Sequence, residues 1–429
     1  MTQWSNIHFL MTTARLRLDG VTATVLPATP DRAPVKHSPG SPGYRRATLS
    51  LFAAGMTTFM ALYYVQGLLP QLSSHFDVSP TTSALAVSLT TGLLAVAIIP
   101  ASALSERYGR VRLMVGSAVA ASVIGLLLPW APSIELLLAG RALQGLLCAG
   151  VPAVAMAYLA EEVDGMSLGG AMGRYVAGTT IGGLVGRLIP GFAVDFVSWQ
   201  WALEIAALVS LAFAIAFWRM VPGSQFFTPQ PVSLRTTGRN LVAHLRDPGL
   251  LSLFALAFVL MGGFVTVYNF IGYRLLGGPF GLPAGIVAAI FFMYLAGTVS
   301  SAWGGRLADR LGRRRVLVTV TSIMLVGLLI TIPDHLWSVI VGLFLFTAGF
   351  FAAHSVASGW VSARATEHRA EASSLYLFHY YLGSSVVGAL GGLTYSAFGW
   401  AGITAYVGIL AALGVLLAAM PRRRRATTA

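Results

Sequence analysis

The sequence predicts an all-α membrane protein of twelve transmembrane helices arranged as two related six-helix halves. Three observations predict it: an apolar composition, arginines confined to alternate loops, and a motif that returns once far down the chain. Hydrophobic residues fill 56% of the 429 positions and charged residues only 10%, whereas a soluble domain carries roughly 25% charged residues. Too few charges remain to solvate a soluble fold. Each helix needs roughly 20 apolar residues to cross the hydrocarbon core, so twelve use about 240 positions, close to the apolar content available.

Apolar segments fall at 47–70, 82–104, 112–131, 135–160, 169–192, 200–221, 249–273, 284–305, 315–332, 336–361, 372–395 and 399–420. Residues 1–46 hold prolines, Arg15, Arg17, Arg32, Lys36, Arg45 and Arg46, with no signal-peptide core, and read as a disordered cytoplasmic tail. The chain thus divides into that tail, an N-terminal half at 47–221, a cytoplasmic linker at 222–248, a C-terminal half at 249–420 and a basic tail at 421–429.

The loops set the orientation, because short cytoplasmic loops retain arginine and lysine. With the N-terminus inside, all basic residues but Arg141, Arg187 and Arg274 lie on the cytoplasmic side, that is 25 of 28. Residues 71–80, 129–134 and 332–336 contain neither arginine nor lysine. Both termini are therefore expected inside a cell's plasma or inner membrane. The net charge of +13 then reports topology rather than a nucleic-acid partner, since the arginines lie between apolar runs and not on a basic soluble face. Cys148, the single cysteine, sits within an apolar run, forms no intrachain disulfide and reads as a packing residue.

The repeat supports the count. Leu104-Ser105-Glu106-Arg107-Tyr108-Gly109-Arg110 returns as Leu307-Ala308-Asp309-Arg310-Leu311-Gly312-Arg313, an offset of 203 from residue 106 to 309. Tyr64 pairs with Tyr268 at offset 204, and Tyr175-Val176-Ala177-Gly178 with Tyr380-Tyr381-Leu382-Gly383 at 205. Transporters built from such halves bind substrate near the midplane between them.

On these motifs the chain resembles the major facilitator superfamily over nearly everything after residue 47. The family's loop, Gly-x-Leu-Ala-Asp-Arg-x-Gly-Arg-Arg, is matched throughout by Gly305 to Arg314, while the first copy has Ser102 for the first glycine and Glu106 for the aspartate. Glycine lets the chain reverse and the basic side chains stay at the cytoplasmic surface. The resemblance implies a cytoplasmic gate built from Glu106, Arg107, Gly109, Arg110, Asp309, Arg310, Gly312 and Arg313, with Glu161 and Glu162 as partners for Arg107 or Arg110. A solvated, unpaired cluster is the competing reading. Tyr63 to Pro70 followed by Ser83 to Thr90 also resembles the arabinose-efflux-permease-like and YnfM-type bacterial inner-membrane branch.

On helix four, Leu137-x-x-x-Arg141-x-x-Gln144-Gly145 resembles the family pattern around an intramembrane arginine. Arg141 faces a cavity or counter-ion, or snorkels about 9 Å to the surface. On helix five the family's antiporter form carries spaced glycines and a Gly-Pro. Here Gly169, Gly178 and Gly182 keep register, but Gly183 replaces the proline and Gly186-Arg187 the final glycine pair. The stripe of Gly178, Gly182 and Gly186 suits close helix packing as well as antiport.

Proton coupling requires a group that titrates inside the membrane. Arg141, Arg187 and Glu204 are candidates for one cluster serving protons or substrate, or else Glu204 merely reaches headgroups. Two arginines against one glutamate would favour an anionic or carbonyl-bearing substrate. His354 and His379 are further candidates. Because helices one, four, seven and ten face the cavity in the resembled family, Tyr64, Gln66, Gln144, Tyr268, Asn269, His354 and His379 are expected along the substrate route, with Tyr376. No phosphate loop, metal-ligand cluster or nucleophile-base set is present, so neither enzyme nor cofactor is expected. The expected function is a monomeric secondary transporter of a small molecule, coupled to protons and exporting a drug-like or small metabolite substrate. Import on the same fold, and a membrane sensor without transport, are the alternatives.

Overall fold

In this computed structural model residues 36–229 and 234–420 are described. Most of the expected N-terminal tail (1–35), residues 230–233 of the linker and the basic tail at 421–429 lie outside them. The described chain is helical, with no strand and a single bridge between His37 and Val163.

Among the described residues ten helices are long and apolar enough to cross a membrane. They span Pro42–Phe76, Pro80–Tyr108, Arg110–Trp130, Ile134–Glu162, Gly165–Ala193, Trp199–Met220, Pro248–Leu276, Ala284–Leu311, Leu336–Arg364 and Glu371–Ala419. Two further spans complete twelve. Arg313–Ile330 opens on three successive arginines, which lower its mean hydropathy without shortening its apolar run. The last stretch, Arg369–Ala419, counts 51 residues and turns at Gly399, φ 59°. A straight helix of that length would run about 77 Å at 1.5 Å per residue, against a hydrocarbon core of about 30 Å. It is two spans, 369–398 and 400–419, and the twelve are numbered here in chain order.

Local chemistry sets the ends. Ser41, Ser79 and Asp247 each precede a proline at the first helical position, where a missing N–H costs nothing and a side-chain oxygen satisfies an orphan donor. Ser41 accepts from the Tyr44 amide and Asp247 from those of Gly249 and Leu250. Gly109 and Gly312 both turn with φ 90°, a conformation side chains disfavour, so the two loop copies share one backbone device.

Two expectations are corrected. Residues 36–46 are not free tail: helix one begins at Pro42, and the His37 amide donates to the Glu162 carbonyl at 2.8 Å while the Asp164 amide donates back to His37 at 3.0 Å. The Ser-Pro cap and that short backbone pairing account for the order. The linker, read as a loop, contains the helix Leu234–Leu245.

Close packing follows the glycines. A side-chain carbon on Gly178, Gly182 or Gly186 would lie 2.3, 2.6 or 2.8 Å from the backbone of Phe52, Met56 or Met60, so the stripe seats helix five on helix one. Gly383 seats helix eleven on helix seven in the same way, 2.1 Å from the Phe258 carbonyl.

Candidate functional site

Four polar residues of helices one, four, seven and ten are paired alike in the two halves. The Tyr64 hydroxyl bonds the Gln144 amide at 2.8–3.1 Å, and Tyr268 bonds Thr347 at 2.6 Å. The partners stand 203 residues apart, 144 to 347, matching the tyrosine offset of 204. The repeat therefore extends to a hydrogen bond that ties the first helix of each half to the fourth.

Arg141 lies directly against this pair and is fully buried. Its guanidinium donates to the carbonyls of Ala61 and Leu62, both at 2.7 Å, to Ala86 at 2.8 Å, and to Gln144, and it rests on the Tyr64 ring. Ala61 and Leu62 end the α-helical part of helix one, where Tyr64–Leu68 tightens to a 3-10 turn. Carbonyls in the last turn of a helix lack regular partners, and Arg141 supplies them across the bundle. Burial and backbone capping replace snorkelling.

Arg187, only 2% exposed, sits in a second network that crosses between the halves. Its Nε donates to Gln66 at 2.6 Å and its Nη1 to the Gly183 carbonyl at 2.5 Å. Gln66 in turn donates to Asn269 of helix seven at 2.7 Å. The guanidinium faces the rings of Tyr63 at 4.0 Å, Tyr294 at 4.8 Å and Phe291 at 5.5 Å. The two helix-five departures are thus one unit: a side chain at residue 183 would come within 3.2 Å of the arginine.

The expected meeting of Arg141, Arg187 and Glu204 does not occur. Glu204 accepts from the Trp130 indole at 3.3 Å and neither arginine bonds it. The reason is helical facing. Trp201, three residues before Glu204, and Leu208, four after it, are exposed, so Glu204 lies on the outward stripe of helix six.

Toward the arginine-poor face the halves are sealed together. The Tyr273 hydroxyl reaches Leu69, Ser73 and Ser83 at 2.5–2.8 Å, the Gly285 amide donates to Asp195 at 2.8 Å, and Thr81 meets Ser396 at 3.3 Å. The cavity beside Gln66, Asn269, Tyr268 and Phe291 holds about 20 Å³, room for roughly one water. At the arginine-rich face the loop copies differ. Arg110 pairs with Glu106 at 2.6 Å and Glu161 at 2.8 Å, whereas Glu162 accepts the amides of Gln225 and Phe226 instead. Arg107 lies over the neighbouring Tyr108 ring. Asp309 and Arg310 are exposed, Arg313 is half-exposed, and Asp309 has no ion pair among the described residues.

The histidines part company. His354 meets the Tyr376 hydroxyl at 3.0 Å and faces the Tyr380 ring at 4.7 Å, sharing a half-exposed polar strip with Ser355 and Ser358. His379 bonds the carbonyl of Leu375 one turn back and stacks on Phe254, as a packing residue would. Sequence reasoning missed Tyr63, Phe291 and Tyr294 around Arg187, and Ser88. The aromatic run Phe291-Phe292-Met293-Tyr294 was the available signal.

With this geometry in place, the comparisons agree with one another. The family described as Major Facilitator Superfamily matches residues 51–304 and 280–429. The Uncharacterized MFS-type transporter YybF of Bacillus subtilis (strain 168) is 42% identical over 368 residues, 86% of this chain and 91% of that protein. The Inner membrane transport protein YnfM of Escherichia coli (strain K12) is 43% identical over 385 residues, covering 90% and 92%. Among solved structures, a bacterial homolog to the human lysosomal transporter Spinster, inward-facing and occupied, superposes with TM-score 0.74 at 16% identity, covering 89% of this chain and 96% of that one.

Proposed function

The chain belongs to the Major Facilitator Superfamily, and from that premise we propose that this secondary transporter exports a small amphipathic solute in exchange for protons by alternating access. The observation that carries the proposal is the uneven seal. Gln66, Asn269 and Tyr273 join the halves on the arginine-poor side, while Asp309 of the second loop copy stands exposed, with no ion pair among the described residues. Under the positive-inside rule the arginine-rich face is cytoplasmic, with both termini there, and solute then enters from the cytoplasm against a closed outer layer. Parting that layer while the second loop engages gives the opposite state.

His354 is the proton carrier in this scheme. Imidazole can take up and release a proton, and His354 lies between Tyr376 and Tyr380 on a half-exposed strip with Ser355 and Ser358. Glu204, set on the outward stripe, has no part in it. The spaced glycines of helix five pack against helix one and do not set the direction.

Inverted membrane vesicles carrying the protein test this. An imposed proton gradient is expected to drive accumulation of at least one compound from a panel of small amphipathic solutes. His354→Gln is expected to abolish that accumulation and leave solute exchange intact. Accumulation only in right-side-out vesicles would mean import instead, and none in either orientation would defeat the transport proposal.

A further inference from the structure

We infer that Arg187 heads a binding subsite for a small aromatic carboxylate, an inference that rests on the transport proposal above and names its substrate class. Arginine offers five N–H donors; hydrogen bonds from Nε and Nη1 occupy two of those on Arg187, and the rest face aromatic rings. The other buried arginines are more fully answered. Arg110 has two carboxylates, Arg274 has Asp334 and three carbonyls, and Arg141 has three carbonyls and Gln144. Arg187 has one carbonyl and one amide oxygen, and no carboxylate among the described residues.

The buried polar atoms left over around it can donate, save the Gln71 Oε1 acceptor that lines the same small cavity as Gln66 and Asn269. The Asn269 Nδ2 and the Ser88 hydroxyl are buried without a hydrogen-bond partner, and the Tyr294 hydroxyl lies beside the Arg187 guanidinium. The first two converge: a carbon added to Gly388 would lie 3.6 Å from Asn269 Nδ2 and 3.3 Å from Ser88 Oγ. Asn269 reaches Arg187 through Gln66, and Tyr294 touches its guanidinium face. Buried donors normally find acceptors, and a cation with spare donors calls for an anion. A carboxylate supplies acceptors only. Tyr63, the ring that stays with Arg187 in its own half, supplies a face on which a planar apolar body stacks.

The position also explains how the site opens. Tyr63, Gln66 and Gly183 belong to one half, and Asn269, Phe291 and Tyr294 to the other, so the ring cage exists only while the halves meet. When they part, Arg187 loses two of its ring faces, and the carboxylate takes their place. Substrate binding and the outer seal thus compete for one guanidinium.

Equilibrium binding to purified protein, with no gradient present, tests the subsite apart from transport. The probes are benzoate, 2-naphthoate and indole-3-acetate, each beside its neutral amide, with benzylamine as the cation. The wild type is expected to bind at least one carboxylate at least tenfold more tightly than its amide. Arg187→Gln is expected to erase that preference, and Arg187→Lys to restore part of it. Should Arg187→Gln fail to fold, Tyr294→Phe and Asn269→Ala are expected to weaken carboxylate binding several-fold while leaving the amides unchanged. Equal affinity for acid and amide, preference for benzylamine, or an undiminished preference in folded Arg187→Gln would overturn the inference. Gradient-driven export of neutral or cationic compounds alone would overturn it and leave the transport proposal standing. Carboxylate selectivity without gradient-driven movement would do the reverse.

Discussion

Replacing Arg141 with alanine is expected to cost on the order of 4 kcal/mol of stability and to remove most folded protein from the membrane. The guanidinium is fully buried and holds the carbonyls of Ala61, Leu62 and Ala86 together with Gln144. Without it those acceptors stay in an apolar interior, where each unsatisfied group costs about 1–3 kcal/mol and water is not at hand. Lysine preserves charge but presents one point of contact where arginine presents a planar fork, so Arg141→Lys should recover only part of the loss. Folded yield and the thermal midpoint in detergent measure both. A wild-type midpoint for Arg141→Ala would show that the carbonyls have other partners and that the break in helix one needs no cap.

The second large effect is expected at the symmetric glycines. Gly178→Val and Gly383→Val each drive a branched side chain into backbone, the carbonyls of Phe52 and Phe258 respectively, at a place where even the first carbon would be 2.3 or 2.1 Å away. Backbone in a helix cannot swing aside as a side chain can, so the cost should reach or exceed the roughly 1–3 kcal/mol of ordinary overpacking. Gly169→Val and Gly173→Val meet nothing within 4 Å and serve as controls within the same helix, where valine is a better helix former than glycine and should cost little. Equal expression of all four variants would contradict the packing described for helices one with five and seven with eleven.

Much of the fold was legible because membrane crossing constrains sequence strongly. Apolar length, the Ser-Pro and Asp-Pro starts and the two φ-positive loop glycines are local signals, and each falls where the structure uses it. The last apolar run divides between residues 395 and 399 in the sequence, and the structure turns there at Gly399. The polar centre was legible only as residues. Gln66 and Asn269 stood out as amides in apolar spans, yet their bond depends on how two halves meet, which neither half encodes alone. Tyr63 and Tyr294 look like ordinary packing aromatics until Arg187 is found between them. Glu204 went astray for a different reason. Its depth along helix six was judged but its face was not, although Trp201 and Leu208 mark that stripe as outward.

The central claim is that the layer around Gln66, Asn269 and Tyr273 opens and closes during transport. Spin labels at Ser74→Cys and Ala397→Cys, both exposed near the sealed face on opposite halves, in a Cys148→Ala background, read its width in proteoliposomes. The prediction is a short distance at rest, a second and longer population under an imposed proton gradient, and an about fivefold gain of that longer population in Gln66→Ala, which removes one cross-half hydrogen bond worth about 1 kcal/mol. A single distance that neither the gradient nor Gln66→Ala changes would contradict the account.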